Sequence, residues 1–144
     1  MTKKSEIKVI YPKGGVRKHA VLDVALTLAS DRGEDTVVYN VSKRSPIVEY
    51  VIVTSAGSDK RATGLSFSAQ EVLEKEKFPI NHVEGKKGSS WILVDAGSVV
   101  VHIFTKEERK NVNIDELYQG CLKTSISDRD VANWVKANIK DTEN

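Results

Sequence analysis

Apolar positions recur along this chain with two different periods. Val21, Val24, Ala25 and Leu28 fall at i, i+3, i+4 and i+7, which is one face of a helix, and Gly33 is a natural stop beyond it. Val37–Val41 is a short β-rich run, followed by a Ser45-Pro46 turn. From Val48 to Thr54 the chain carries Val, Ile and Tyr almost without a break, as a strand covered on both faces does. Ser58 or Asp59 can cap a second helix, whose buried stripe is Leu65, Ala69, Val72 and Leu73, with Pro79 just past its end. Ile80–Val83 reads as a strand. Trp91–Val94 and Val99–Phe104 are β-rich runs joined by Asp95-Ala96-Gly97-Ser98, the pattern of a hairpin. Two short helical pieces follow, Lys106–Lys110 and Ile114–Tyr118. Ser127-Asp128-Arg129-Asp130 then resembles a capping box opening a terminal helix with Val131, Trp134 and Val135 on one face.

This order predicts an α+β fold, a mixed sheet of about five strands flanked by helices. If the strands around the Val48–Val83 crossover are parallel, the connection is right-handed. Pro12 and Gly14-Gly15 set off the stretch before them. From Met1 to Lys18 there are six basic residues and one acid, Glu6. Such an arm is either a solvated tail or a contact to an acidic surface or RNA. The last 17 residues carry four acids and three bases.

Composition narrows the classes. At 144 residues the chain suits one domain, and 40% hydrophobic with 29% charged residues fits a soluble globular protein. Twenty-two Lys and Arg against 20 Asp and Glu, a net charge of +2, neither demand nor forbid a nucleic-acid partner. Cys121 is the single cysteine, so an internal disulfide and every CxxC zinc or redox motif are excluded. A reducing compartment, and by default the cytoplasm, is expected. His19, His82 and His102 lack HExxH spacing, and no metal or cofactor is expected. No apolar run approaches a membrane span, and Val9-Ile10-Tyr11 is too short for a signal-peptide core.

Enzymatic chemistry finds little support. Gly57-Ser58 between a strand and a helix resembles the start of a nucleotidyltransferase site, where helix N-terminal amides hold phosphate. Such enzymes need closely spaced carboxylates for Mg²⁺, and the only DxD-like letters, Asp128-Arg129-Asp130, open the tail helix. No GxSxG elbow surrounds a serine, Gly85–Ser90 lacks the Walker A ending, and nothing singles out a partner for Cys121. His102 sits inside an apolar strand, either satisfied by a neighbour or serving an interface on an exposed sheet face.

At the hairpin the sequence resembles a known family. Val83-Glu84-Gly85, Trp91–Gly97 and Val99–Phe104 are similar to the pattern EG…xWxxxDxGxVxVHxF of the ribosomal silencing factor, or Iojap-like, family. Glu107-Glu108-Arg109 resembles its EER stretch, Ile114–Tyr118 its LExLW ending, and Ile47–Val53 its ITDYFVI strand. The resemblance runs from about Ala20 to Tyr118. It departs at Glu49 and Ser98, where the family usually has Asp, at Val112, where it often has Tyr, and at Tyr118, where it has Trp. The family's GTSxRH stretch appears here as Ala56–Arg61. Three parts follow: a basic arm at 1–15, the family domain at 16–119, and a partly helical extension at 120–144.

The resemblance implies a nucleotidyltransferase-like topology without known enzymatic activity. It implies binding to the large ribosomal subunit through large-subunit ribosomal protein fourteen, hindrance of subunit joining and repression of translation when nutrients are scarce. It also implies, in many members, a homodimer. The partner-binding residues it suggests are Trp91, Glu84, Asp95, His102, Arg109 and Tyr118, since an interface core wants an aromatic anchor with polar neighbours. Structural alternatives stand beside these roles: Phe104 as core, Trp91 as core or interface, Glu84 and Arg109 as a pair or as solvated charges. The basic arm offers a contact to ribosomal RNA. Alternatives are a large-subunit assembly factor using the same surface and a divergent nucleotidyltransferase using Gly57-Ser58.

Overall fold

The apolar run around Ile52 becomes the middle of the sheet. A computed structural model describes residues 15–85 and 88–143. In chain order the elements are α1 (Gly15–Ser30), β1 (Glu34–Asn40), β2 (Tyr50–Ala56), α2 (Asp59–Lys75), β3 (His82–Glu84), β4 (Trp91–Asp95), β5 (Val99–Thr105), α3 (Lys106–Val112), α4 (Ile114–Leu117), β6 (Leu122–Ser125) and α5 (Asp128–Glu143). Among the described residues the sheet has six strands in the order β3-β4-β5-β2-β1-β6. Of these, only β2 and β5 pair in parallel, with Val53 opposite His102; the other neighbours are antiparallel. The α+β class and the flanking helices are as the sequence predicts.

Every residue of β2 is buried, because both faces of the strand are covered. On one face Tyr50 and Ile52 join Val38, Ile92, Val94, Val101 and Ile103 beneath α1 and α2, which contribute Val21, Val24, Leu28, Leu65, Ala69 and Leu73. On the other, Val51 and Val53 join Val37, Tyr39 and Phe104 in a smaller cluster closed by Ile114, Val112 and Tyr118. Period-2 alternation thus feeds two cores of unequal size. Ser58 caps α2 by accepting from the Arg61 amide at 3.0 Å. The expected capping box is present in reciprocal form: Asp130 N donates to Ser127 Oγ, and Ser127 N to Asp130 Oδ2.

Two features differ from the sequence reading. α2 leads from β2 to β3, yet β3 is not beside β2. The β4–β5 hairpin folds back between them, so the parallel neighbour of β2 is β5. The sixth strand, β6, lies in the extension for which the sequence predicts only partial helix. It has no alternating apolar pattern and forms by pairing its backbone to the edge of β1, from Val37↔Ser125 to Asn40↔Leu122. α5 then rests on α1, with Trp134 Nε1 donating to Asp23 Oδ1 at 3.3 Å. Residues 120–144 therefore supply an edge strand and a helix.

Gly85 sets the turn-off from β3. Its φ is +102°, and a Cβ there would lie 2.6 Å from the Trp91 carbonyl oxygen. Gly85→Ala is expected to cost about 1–2 kcal/mol, combining positive-φ strain with that collision. Urea unfolding checks it; an unchanged midpoint would show that the turn relaxes freely.

Candidate functional site

α3 and α4 pack over β1, β2 and the Phe104 end of β5, and among the described residues no helix covers the β3–β4–β5 half of that face. Alternation along β4 sends Ile92 and Val94 inward and Trp91, Leu93 and Asp95 to the open face. Register then assembles rows across the strands. Glu84, Leu93 and His102 stand side by side, as do His82, Asp95 and Val100, and Trp91 pairs with Phe104. Four of the sequence-derived candidates, Glu84, Trp91, Asp95 and His102, are thereby brought onto one surface.

Its centre is an aromatic stack. Trp91 lies 5.0 Å from Phe104 and 5.9 Å from His102, centroid to centroid, and His102 stacks on Phe104 at 5.9 Å. Phe104 is fully buried and His102 is 6% exposed, but Trp91 keeps 37% of its surface in solvent. Phe104 is therefore core, and Trp91 packs on it while keeping over a third of its surface free. The indole Nε1 donates to His102 Nδ1 at 3.1 Å. An indole nitrogen can only donate, so His102 Nδ1 must accept and the ring is neutral. Burial acts in the same sense, pushing the His102 pKa down to about 4.

Carboxylates rim the stack. Glu84 is exposed and accepts from His82 Nε2 at 2.8 Å, while His82 Nδ1 lies 3.7 Å from Asp95 Oδ2. Asp95 also accepts from the Gly97 amide at 2.9 Å, which ties the hairpin turn to the rim. His82 was not singled out from the sequence. The available signal was its two-residue spacing from Glu84 on a strand, which puts both on one face.

Arg109 and Tyr118 lie elsewhere, under the α3–α4 cover. The Arg109 side chain is only 12% exposed. Its Nε and Nη2 fork onto Asp115 at 2.9 and 3.1 Å, and Nη1 donates to the Asp35 carbonyl and Ser55 Oγ. Arg109 thus pairs with Asp115, and Glu84 with His82. Asp115 also accepts from the Tyr39 hydroxyl at 2.6 Å, and the Tyr39 ring tilts against Tyr118 at 5.3 Å. The Arg109 guanidinium, helped by the Tyr39 hydroxyl, holds the Asp115 carboxyl below its usual range. Burial first, and then Asp115, push the Tyr39 hydroxyl up. Arg109→Lys keeps the charge but loses the two-pronged fit, and is expected to cost about 1–2 kcal/mol in urea unfolding. A loss near zero would mean that Asp115 finds its partners elsewhere.

The Gly57-Ser58 turn borders a hollow of about 510 Å³ lined by Arg32, Glu34, Lys60 and Arg61. Ser58 Oγ is engaged as the helix cap, and Glu34 bonds Lys106 Nζ at 2.8 Å. Among the described residues no group of three or more His, Cys, Asp or Glu is placed to hold a metal ion. Cys121 is half-buried against the smaller core. No helix among the described residues is long and apolar enough to cross a membrane. The basic arm lies outside the described residues, apart from Gly15, which begins α1.

Comparison with known proteins places the chain in a family. The family described as "Ribosomal silencing factor during starvation" matches residues 16–144. The ribosomal silencing factor RsfS of Halalkalibacterium halodurans is 28% identical over 99 residues, covering 68% of this chain and 85% of its own. The chloroplastic protein Iojap of Zea mays is 28% identical over 123 residues, covering 77% of this chain and 54% of its own. A crystal structure of a Chromobacterium violaceum protein superposes with a TM-score of 0.67 at 26% identity, covering 76% of this chain and 92% of that one. With nearly the whole described chain inside the match, this protein belongs to the ribosomal silencing factor, or Iojap-like, family.

Proposed function

We propose that this chain docks through the open β3–β4–β5 face onto large-subunit ribosomal protein fourteen, occupies the subunit-joining surface of the large ribosomal subunit, and represses translation under nutrient limitation by hindering subunit joining. The observation that carries this reading is Trp91, an aromatic anchor with over a third of its surface free, seated on a buried His102–Phe104 floor. Interface hot spots concentrate on such aromatic residues. The rim favours protein over RNA at this face. Glu84, beside Leu93, and Asp95, at the far end of β4 from Trp91, share its face and would repel phosphates, whereas they complement the cations of a basic protein surface. Steric blockade needs no catalytic group. The names of the family relatives point to the ribosome, and the shape of the face supplies the means of docking.

Sedimentation with purified ribosomal subunits tests the proposal. The protein is expected to travel with large subunits and not with small subunits alone. Adding it before small subunits should reduce the joined-ribosome peak. Protein that stays at the top of the gradient while large subunits pellet would end this reading.

A further inference from the structure

The open face contains one buried titratable group that docking itself does not require. His102 is nearly inaccessible, so a partner seated on Trp91 has almost no His102 surface to touch. Its ring nonetheless holds the anchor. Nδ1 accepts the indole N–H at 3.1 Å, Phe104 stacks on the imidazole and also lies 5.0 Å from the indole, and Leu93 and Val53 flank the imidazole across the sheet.

We infer that His102 is a positioning residue whose imidazole holds the Trp91 indole in one orientation, N–H turned toward the sheet and carbon edge turned outward. The inference rests on the docking role proposed above and makes it more specific. Trp91 has one polar atom, and His102 engages it. The rest of the indole is hydrocarbon. The matching feature on the partner is then an apolar recess, and no hydrogen-bond acceptor is needed at its base. Fixing the indole before contact also removes part of the ordering cost that a free rotamer would carry into the complex.

Two near-isosteric substitutions separate positioning from packing. His102→Asn places a carbonyl oxygen near the position of Nδ1, and His102→Leu places a methyl group there. The indole N–H resonance reports the bond directly, by its chemical shift and its exchange with solvent, in the free protein. In the wild type a downfield, slowly exchanging indole N–H of Trp91 is expected. His102→Leu should move it upfield and speed its exchange, and His102→Asn should restore both in large part. Losing one hydrogen bond of ordinary strength predicts about five-fold weaker large-subunit binding for Leu, with Asn within about two-fold of wild type.

If Leu and Asn bind equally well, the bond does not prepare the anchor and the inference falls. If the wild-type indole N–H exchanges freely, it falls without any variant being made. Should the wild type fail to sediment with large subunits, the docking role fails alone, because the resonance measurements still decide whether His102 fixes the indole.

Discussion

Replacing Trp91 by alanine is expected to weaken association with large ribosomal subunits by roughly 30-fold or more while leaving a folded protein. The binding estimate follows from the cost of truncating a central aromatic hot spot, about 2 kcal/mol or above. The stability estimate follows from partial exposure. Trp91 contacts Phe104 and His102 on one side only, so its loss removes aromatic pairing and some burial, about 1–2 kcal/mol, against a core it does not fill. A chain of this size should then melt about 2–8 °C lower and keep its circular-dichroism spectrum. Collapse of the fold would identify Trp91 as core. Full binding by a folded variant would remove it from the interface.

The second large effect is acid lability centred on His102. In the unfolded chain its imidazole protonates near 6.5, whereas in the fold burial depresses the pKa to about 4. The folded-state pKa lies below the unfolded one, so the stability contribution is complete above pH 6.5. It is lost as pH falls, because the unfolded state takes up a proton that the folded state refuses. Between about pH 7.5 and pH 5 the loss is about 2 kcal/mol, rising toward about 3 kcal/mol below pH 4. This window lies mostly above the carboxylate titrations. Lower down they act in both directions: Asp115, held down by Arg109, adds to the loss, and Glu76, pushed up chiefly by burial, subtracts from it. Urea midpoints from pH 7.5 to 5 should fall in the wild type and stay nearly flat in His102→Leu. Equal slopes in the two proteins would assign the lability to another group.

Much of this was readable in residue order, and the reasons are specific. The nearly unbroken run of Val, Ile and Tyr from Val48 to Thr54 announced a strand buried on both faces, and β2 is that strand. The hairpin showed itself as two β-rich runs around Asp95–Ser98, but Trp91–Val94 is apolar throughout, so only the folded strand separates Trp91 and Asp95 from Ile92 and Val94. Ser58 and the Ser127–Asp130 box were visible because capping depends on residues three apart. Tertiary partners were not visible in this way. Arg109 meets Asp115 only because Asn113, at φ 54°, turns the chain between α3 and α4, and nothing in their spacing announces the fork. β6 stayed hidden because its sequence, Leu-Lys-Thr-Ser, carries no strand pattern, and the open edge of β1 selects it. The resemblance pointed to Arg109 and Tyr118 as contact residues. The structure sets both apart from the Trp91 face, with Tyr118 packed against the smaller core and Arg109 forked onto Asp115.

The parallel pairing at the sheet's centre has a kinetic consequence. β1 with β2, and β4 with β5, are antiparallel neighbours joined by short connections, and each pair can assemble locally. The β2–β5 ladder joins them through residues as distant in sequence as Val53 and His102, with α2 and β3 lying between. Closing that span costs chain entropy before any of its contacts form, and such non-local pairing slows folding. Docking of the β1–β2 and β4–β5 pairs along β2 and β5 is therefore expected to limit the folding rate. Core truncations at that seam should slow folding, whereas changes in β6 should mainly speed unfolding.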